Sequence, residues 1–417
     1  MSRSPRSNVR RLAIGRLISV TGGAAAYAAL MFTVWEQTHS TAWQSGTLLL
    51  TFGVVGIMGP LTGHLGDRFD RRTVMIVAEA VAAAFFLAMA LVDVTWLLVA
   101  LAFGSAIAES PFWSASAAAI PALAESEEDI AWANSLLGLG RNAGIMIGPV
   151  IGGLLVGPLG ASWVFGLNAL TFLVSLALTV SVRGDFRQAR SAEEEAEHEG
   201  VAAGIRFLWR DRPLRTMTTA WIVFLLGAGM GMVADAPLAE AFDAGAIGFG
   251  LLIACWGGGS VIGSLAGRKL TAKTEPLWLV LGAAGIAVGH LGVGVAPIYA
   301  LVLVFALMMG ASDGVTMVAE QGIMQRRTPD AVRSRVLAAF DAVLSLGLAF
   351  AYIVAGPVLA AIGPQKVYLI GGIAAVVATA VLYPLRHLAP VDVTRTEAEI
   401  VEAAGGLEIE RAIAPPY

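Results

Sequence analysis

The sequence predicts an all-α membrane protein: twelve transmembrane helices arranged as two pseudo-symmetric six-helix bundles. Three observations predict it. The 417-residue chain is 57% hydrophobic and 14% charged, with a mean hydropathy of +0.75, whereas a soluble domain averages about 45–50% apolar and about 25% charged residues. It carries twelve apolar stretches, each long enough to cross a bilayer. Motifs in the first six stretches recur in the last six. The same composition excludes a water-soluble enzyme and a disordered chain. A net charge of −4 gives no basic footprint for a nucleic-acid partner. The single cysteine, Cys255, excludes a disulfide framework and a cysteine-based metal or iron–sulfur site.

A helix crosses hydrocarbon with about 20 apolar residues, because only internal backbone hydrogen bonds survive there. The expected spans are 12–36, 43–64, 72–93, 95–121, 131–157, 160–182, 214–240, 246–270, 276–295, 298–325, 332–360 and 365–387. The first begins after a basic start and runs on to Val34. That exceeds the 7–15 residues or so of a signal-peptide core, so it reads as a retained helix. Lys and Arg fix the direction. Arg3, Arg6, Arg10 and Arg11 precede span 1, and Arg68, Arg71 and Arg72 follow span 2. Arg183 through Arg215 surround the gap between spans 6 and 7. Arg268, Lys269 and Lys273 follow span 8, Arg326, Arg327, Arg333 and Arg335 join spans 10 and 11, and Arg386 follows span 12. With alternating spans all of these fall on one side and only Lys366 on the other, which puts both termini in the cytoplasm.

The repeat relates span n to span n+6. Span 2 ends in Gly63-His-Leu-Gly-Asp67-Arg68 and span 8 in Gly263-Ser-Leu-Ala-Gly267-Arg268, an offset of 200 residues. Span 5 carries Gly148-Pro149-Val150 and span 11 Gly356-Pro357-Val358, an offset of 208. Two parallel six-helix halves, 1–183 and 214–388, enclose a site near mid-membrane on this pattern. Residues 184–213 form the linker. It opens with the acidic run SAEEEAEHEG and turns amphipathic, with Val201, Ile205, Leu208 and Trp209 at helical spacing and Arg206, Arg210 and Arg212 suited to headgroups. The tail, 389–417, is polar and reads as cytoplasmic and poorly ordered.

The segment Gly63-His-Leu-Gly66-Asp67-Arg68-Phe-Asp70-Arg71-Arg72 resembles the signature that the major facilitator superfamily carries between helices 2 and 3. Asp70 stands where that pattern has its second glycine, at a turn whose left-handed geometry Asp tolerates. Asp67 can pair with Arg333 and Arg335 at the positive start of span 11, a latch for the outward-open state. Gly144, Gly148, Pro149, Gly152 and Gly153 in span 5 resemble the motif of antiport-coupled exporters, and their stripe lets a second backbone approach closely. Pro111 and Pro121, the stretch Ala133-Asn134-Ser135-Leu136, and GIRFLWRDRPLRT at the seam are similar to the bacterial branch of macrolide and enterobactin exporters. The chain departs from related exporters in two places. Span 4 lacks an arginine, and span 1 has Gly22-Gly23 where they often carry Gly-Asp.

A charge at the bilayer centre costs at least about 2.5–3.5 kcal/mol, which makes each one a functional hypothesis. At about 1.5 Å per residue, Glu109 stands roughly 18 Å up span 4 and Arg141 roughly 15 Å up span 5, suggesting an ion pair. Asp313 stands about 18 Å up span 10, with Lys and Arg confined to the span ends in its half. Such a carboxylate can take up and release a proton as the chamber changes sides. The superfamily resemblance implies that helices 1, 4, 7 and 10 line the chamber, which sets Glu109 opposite Asp313. Tyr27, Phe112, Trp113, Trp221, Phe224 and Met308 fall on those helices as candidate walls for a bulky amphipathic substrate. Glu79, Asp341, Asp235 and His290 are weaker candidates nearer the span ends.

The expected function is proton-coupled efflux of drug-like molecules, secondary metabolites or siderophores through a plasma membrane. Its partners are a small-molecule substrate, protons and lipid, with no cofactor, no metal and no nucleic acid, and the chain works as a monomer. Uptake of a small nutrient by symport is the alternative, and a non-transporting scaffold a remoter one. No G-x-x-x-x-G-K-[ST] loop for direct ATP drive occurs, nor an H-E-x-x-H string.

Overall fold

A computed structural model describes residues 5–54, 70–123, 127–182, 201–329 and 332–389. Every described element is helical. They are α1 (Pro5–Thr38), α2 (Thr41–Leu48, continued as a π-helical turn, Leu49–Val54), α3 (Arg71–Ala90), α4 (Thr95–Leu123), α5 (Glu127–Leu159), α6 (Ala161–Ser181), α7 (Val201–Arg210), α8 (Arg212–Ala241), α9 (Gly245–Gly267), α10 (Glu275–Val295), α11 (Tyr299–Arg327), α12 (Arg333–Ile362) and α13 (Pro364–Leu382, continued as a 3-10 turn, Tyr383–His387). Ten are long and apolar enough to cross a membrane among the described residues. With α2, which runs up to residue 54, and α5, 33 residues long, they make the twelve spans. The connector α7 is the thirteenth helix. Their outer faces are apolar: Leu87, Trp163, Leu170, Ile262, Val304 and Ile373 are each more than half exposed, as side chains in contact with lipid are.

Span ends are tied by the arginines that set the charge asymmetry. Arg11 donates to Ser181 Oγ at 2.8 Å, and Arg72 donates to the Val180 carbonyl at 2.7 Å, joining α1 and α3 to the end of α6. Asp211 caps α8 by accepting from the Leu214 N–H at 2.9 Å and receives a bidentate Arg327 from the end of α11, Nη2 lying 2.7 Å away. Arg326 pairs with Glu275 at the start of α10. Asp70 corrects a detail of the sequence reading. Its φ is −58°, so no left-handed turn is present; its carboxylate accepts from the Thr73 N–H at 3.0 Å and Thr73 Oγ1 at 2.9 Å. The residue serves as the N-cap of α3. The apolar face of α7 also differs from expectation. Phe207 and Leu208 are buried and Trp209 is 40% exposed, because Gly204 brings the helix against the Arg335 carbonyl of α12 and rotates Trp209 outward.

Glycines hold the spans together. On α5, Gly144, Gly148 and Gly152 lie against the α1 backbone: an added Cβ would meet the Thr21 N, the Thr21 O and the Ala25 O, respectively. Gly153 faces across to Ala246 and Gly250 of α9, and Gly250 packs on the Pro149 carbonyl. On α12, Gly356 lies against Thr41 and Ser45 of α2. Under the n+6 relation the α5–α9 contact and the α12–α2 contact are one contact made twice. That is why Gly-Pro-Val occurs in both halves. A third seam joins α9 to α11, where Gly259 and Gly263 meet Leu307 and Ala311, and Gly310 and Gly314 meet Trp256 and Ser260.

The described contacts between the halves cluster at the end away from the termini, the far end, and reach to about mid-depth. Besides these seams, Gly53 faces Ala349, the Trp35 indole donates to Glu240, and His39 Nδ1 lies 3.6 Å from Glu240. A continuous apolar plug of Met31, Leu48, Val233, Phe249 and Tyr352 fills the axis there. The chamber is therefore closed at the far end.

The α5 seam is testable. Gly152→Val forces a side chain into the Ala25 backbone and is expected to destabilise the protein by about 1–3 kcal/mol, read as a lower unfolding temperature in detergent. Gly157→Val, at a position with open space around it, is expected to leave it unchanged. Equal shifts would refute the seam.

Candidate functional site

In the N-terminal half the polar residues converge on Arg16 of α1. It is 8% exposed, and its guanidinium stands 4.9 Å above the Phe112 ring of α4. It lies within electrostatic reach of both Glu109 on α4 and Glu79 on α3. Glu79 is 2% exposed and accepts a hydrogen bond from the Ser175 hydroxyl of α6. The Thr179 hydroxyl of α6 is also within reach of it, and its second carboxylate oxygen makes no hydrogen bond of normal length. Glu109 is half-buried. Among the described side chains, the cation within electrostatic reach of Glu109 is Arg16. The side chains of Arg141 and Trp113 lie outside the described residues, as do Gly63, Asp67 and Arg68 of the latch. Of that motif, Arg71 and Arg72 begin α3, and Arg333 turns back to donate to the Gln325 carbonyl at 3.1 Å and the Thr328 carbonyl at 3.3 Å. Phe112 is a core residue of the N-terminal half, not a chamber wall: it is 6% exposed and packs with Leu12, Met75 and Ala115.

In the C-terminal half three carboxylates gather. Asp313 and Glu320 are seven residues apart on α11 and share a face by the 3.6-residue period; Glu320 is within electrostatic reach of Asp313 and of Asp341 on α12. Trp221 of α8 lies beside Glu320, and its indole N–H makes no hydrogen bond of normal length. Trp221 packs edge-on to Phe224 at 5.4 Å, and Phe224 edge-on to His290 at 5.6 Å. Met308, five residues from Asp313, lies well round α11 from the acid-bearing face. Asp313 and Glu109 have separate neighbours.

Nearer the far end Asp235 on α8 accepts a hydrogen bond from the Tyr368 hydroxyl. Tyr27, Tyr299 and Tyr352 lie within electrostatic reach of it. Tyr27 stacks edge-on against Phe52 at 5.5 Å and belongs to the plug. It is part of the closure rather than an open wall.

Arg16 and Glu320 were missed in the sequence although a signal existed for each. Arg16 lies inside the expected first span, and Glu320 repeats Asp313 at a two-turn interval within the expected tenth. Gly22 and Gly23 separate cleanly. Gly22 presses on Asn168 and Thr171 of α6, leaving no space for a side chain, whereas Gly23 has nothing within 4 Å. Arg16, Gly23 and Tyr27 share one face of α1.

Two six-helix halves, joined at one end by paired glycine seams and each carrying intramembrane acids, define a multi-pass membrane transporter and not an enzyme. The sequence profile of the Major Facilitator Superfamily matches residues 12–289 and 233–414, and the chain belongs to that superfamily. Among its relatives the chain is 28% identical over 342 residues to the enterobactin exporter EntS of Shigella boydii, covering 78% of this chain and 79% of that protein. It is 27% identical over 340 residues to EntS of Escherichia coli O1:K1, with the same coverages. Its fold matches a bacterial homologue of the human lysosomal transporter Spinster, in an inward-facing and unoccupied conformation, with a TM-score of 0.70 at 14% identity, covering 94% of this chain and 100% of that one. The nucleoside transporter NupG matches with a TM-score of 0.71 at 11% identity, covering 91% and 98%.

The open space at Gly23 predicts water access. In a Cys255→Ser background, Gly23→Cys is expected to react readily with a water-soluble maleimide. Ala29→Cys, at a position with 0% exposure, is expected to stay unmodified. Equal labelling would refute an open face on α1.

Proposed function

We propose that the protein is a proton-coupled exporter that moves drug-like or secondary-metabolite molecules, siderophores among them, out of the cell by alternating access. The observation that carries this reading is the pair Asp313 and Glu320, on one face of α11 with no described basic side chain in electrostatic reach. Carboxylates so situated are suited to exchanging a proton for substrate. The direction is supported by the relatives named as enterobactin exporters and by the exporter-like glycine string of α5.

The arginine-rich ends support a cytoplasmic location for both termini in a bacterial inner membrane. The far end is then the outer face, and the closed plug corresponds to a chamber open to the cytoplasm. Substrate enters beside Trp221 and Phe224, the halves rock about the glycine seams, and the plug parts. Substrate leaves as Asp313, and Glu109 across the chamber, accept protons from outside. Asp67 meets Arg333 and Arg335 in that outward-open state and latches the cytoplasmic side. One chain encloses the whole pathway, so a monomer suffices.

The test is efflux in inverted membrane vesicles under an imposed pH gradient, with a cationic dye, a macrolide and a catecholate siderophore as probes. Asp313→Asn is expected to lower proton-driven movement of the transported probe at least tenfold, the loss of an essential proton acceptor. Undiminished transport by Asp313→Asn would overturn the coupling assignment.

A further inference from the structure

We propose that the cleft above the plug at the far end is a second ligand-binding site, which takes an organic cation with an apolar body and holds the far end closed while it is filled. The binding stands on the cleft alone, and its effect on transport rests on the alternating-access reading.

The cleft encloses about 360 Å³, within the range of small-molecule sites, about 300–1,000 Å³. Trp35 of α1 and Thr41 of α2 form one wall; Pro237 and Glu240 of α8, Leu359 of α12 and Pro364 of α13 form the other. Its floor is the plug, in which Leu359 is buried and against which Trp35 packs. The lining is mostly apolar, and Glu240 is its one carboxylate. That side chain is 47% exposed, so solvent and solutes can reach it. It accepts from the Trp35 indole N–H and lies 3.6 Å from His39 Nδ1. A cation entering the cleft pairs with Glu240, and its apolar body lies against the indole, the two prolines and Leu359. Aromatic and apolar walls around one fixed charge are the usual make-up of a site for such a molecule.

The charge of the far end favours the same class. Among the described residues, its exposed ionisable side chains are Glu36, Asp93, Glu240 and Asp243 against Lys366 and the imidazole of His39. A surplus of acid concentrates cations at the mouth of the cleft and repels anions. The two walls belong to different halves, so the cleft exists only while the far end is closed. A ligand that binds one state of an equilibrium shifts the population toward that state. An occupant of the cleft therefore slows export without itself crossing the membrane.

The probe is benzyltrimethylammonium, with phenylacetate, an anion of similar size, as its control. Calorimetric titration of the purified full-length protein in detergent is expected to show binding of the first and not of the second. Glu240→Gln is expected to weaken binding roughly fivefold, the worth of an ion pair at a half-exposed carboxylate. Ala360→Trp, which fills the cleft from an exposed lining position, is expected to abolish it, and Asp313→Asn to leave it as in wild type. The site is overturned if both probes bind alike, if Glu240→Gln binds as wild type does, or if Asp313→Asn loses the binding, which places the cation in the chamber instead. If Glu240→Gln does not fold, Ala360→Trp and Asp313→Asn decide alone. In inverted vesicles, the probe enclosed in the lumen is expected to slow dye uptake by wild type and not by Ala360→Trp; binding without slowing overturns the hold on the far end. The two readings fail separately. Cation binding by a wild type that moves no dye defeats the exporter reading and leaves the cleft, whereas proton-driven transport without binding defeats the cleft alone.

Discussion

Everything polar in this protein answers to one constraint: inside hydrocarbon, a charge must find a compensating partner or exchange a proton. The two halves meet it differently. The N-terminal half sets Arg16 within reach of carboxylates on α3 and α4, one of them held by hydroxyls of α6. The C-terminal half gathers Asp313, Glu320 and Asp341 with an indole and no described base. Related exporters often place the acid on helix 1; here helix 1 carries the guanidinium, the acid stands on helix 4, and Gly23 leaves open space instead of a side chain.

Much of the fold was legible because the bilayer imposes strong rules on sequence. Length and hydropathy located the spans, and the arginines that marked their ends turn out to fasten them, as Arg72 does at Val180 and Arg327 at Asp211. The Gly-Pro-Val repeat disclosed that the halves are related, but not that its two copies touch the opposite half. The site was less legible. Sequence spacing sets the depth of a residue but not which neighbour its side chain meets, so height alone pointed from Glu109 to Arg141 and gave no hint of Arg16, nearer the start of its span. Phe112 and Met308 stand on the expected helices but not on the expected faces. Asp70 illustrates the same limit on a small scale: its position at a turn was evident, whereas its role as a cap depends on the backbone hydrogen bond from Thr73.

The plug at the far end constrains any opening there. Asp235 and its tyrosines sit where α1, α8, α11, α12 and α13 converge, so any motion that parts the far end must also rehydrate that carboxylate. The exposed polar contacts that accompany the closure, Trp35 and His39 on Glu240, are few.

The seams between the halves are nearly bare of large side chains. Where Gly153 meets Ala246 and Gly250, contact is made by backbone surfaces, and where Gly356 meets α2 it is made by the Thr41 carbonyl and the short Ser45 side chain. Adhesion of that kind is a sum of many weak dispersion contacts, without interlocking knobs that would have to be lifted out of sockets. The joints therefore behave as a dry bearing, in which surfaces that fit closely can still slide and tilt with little friction.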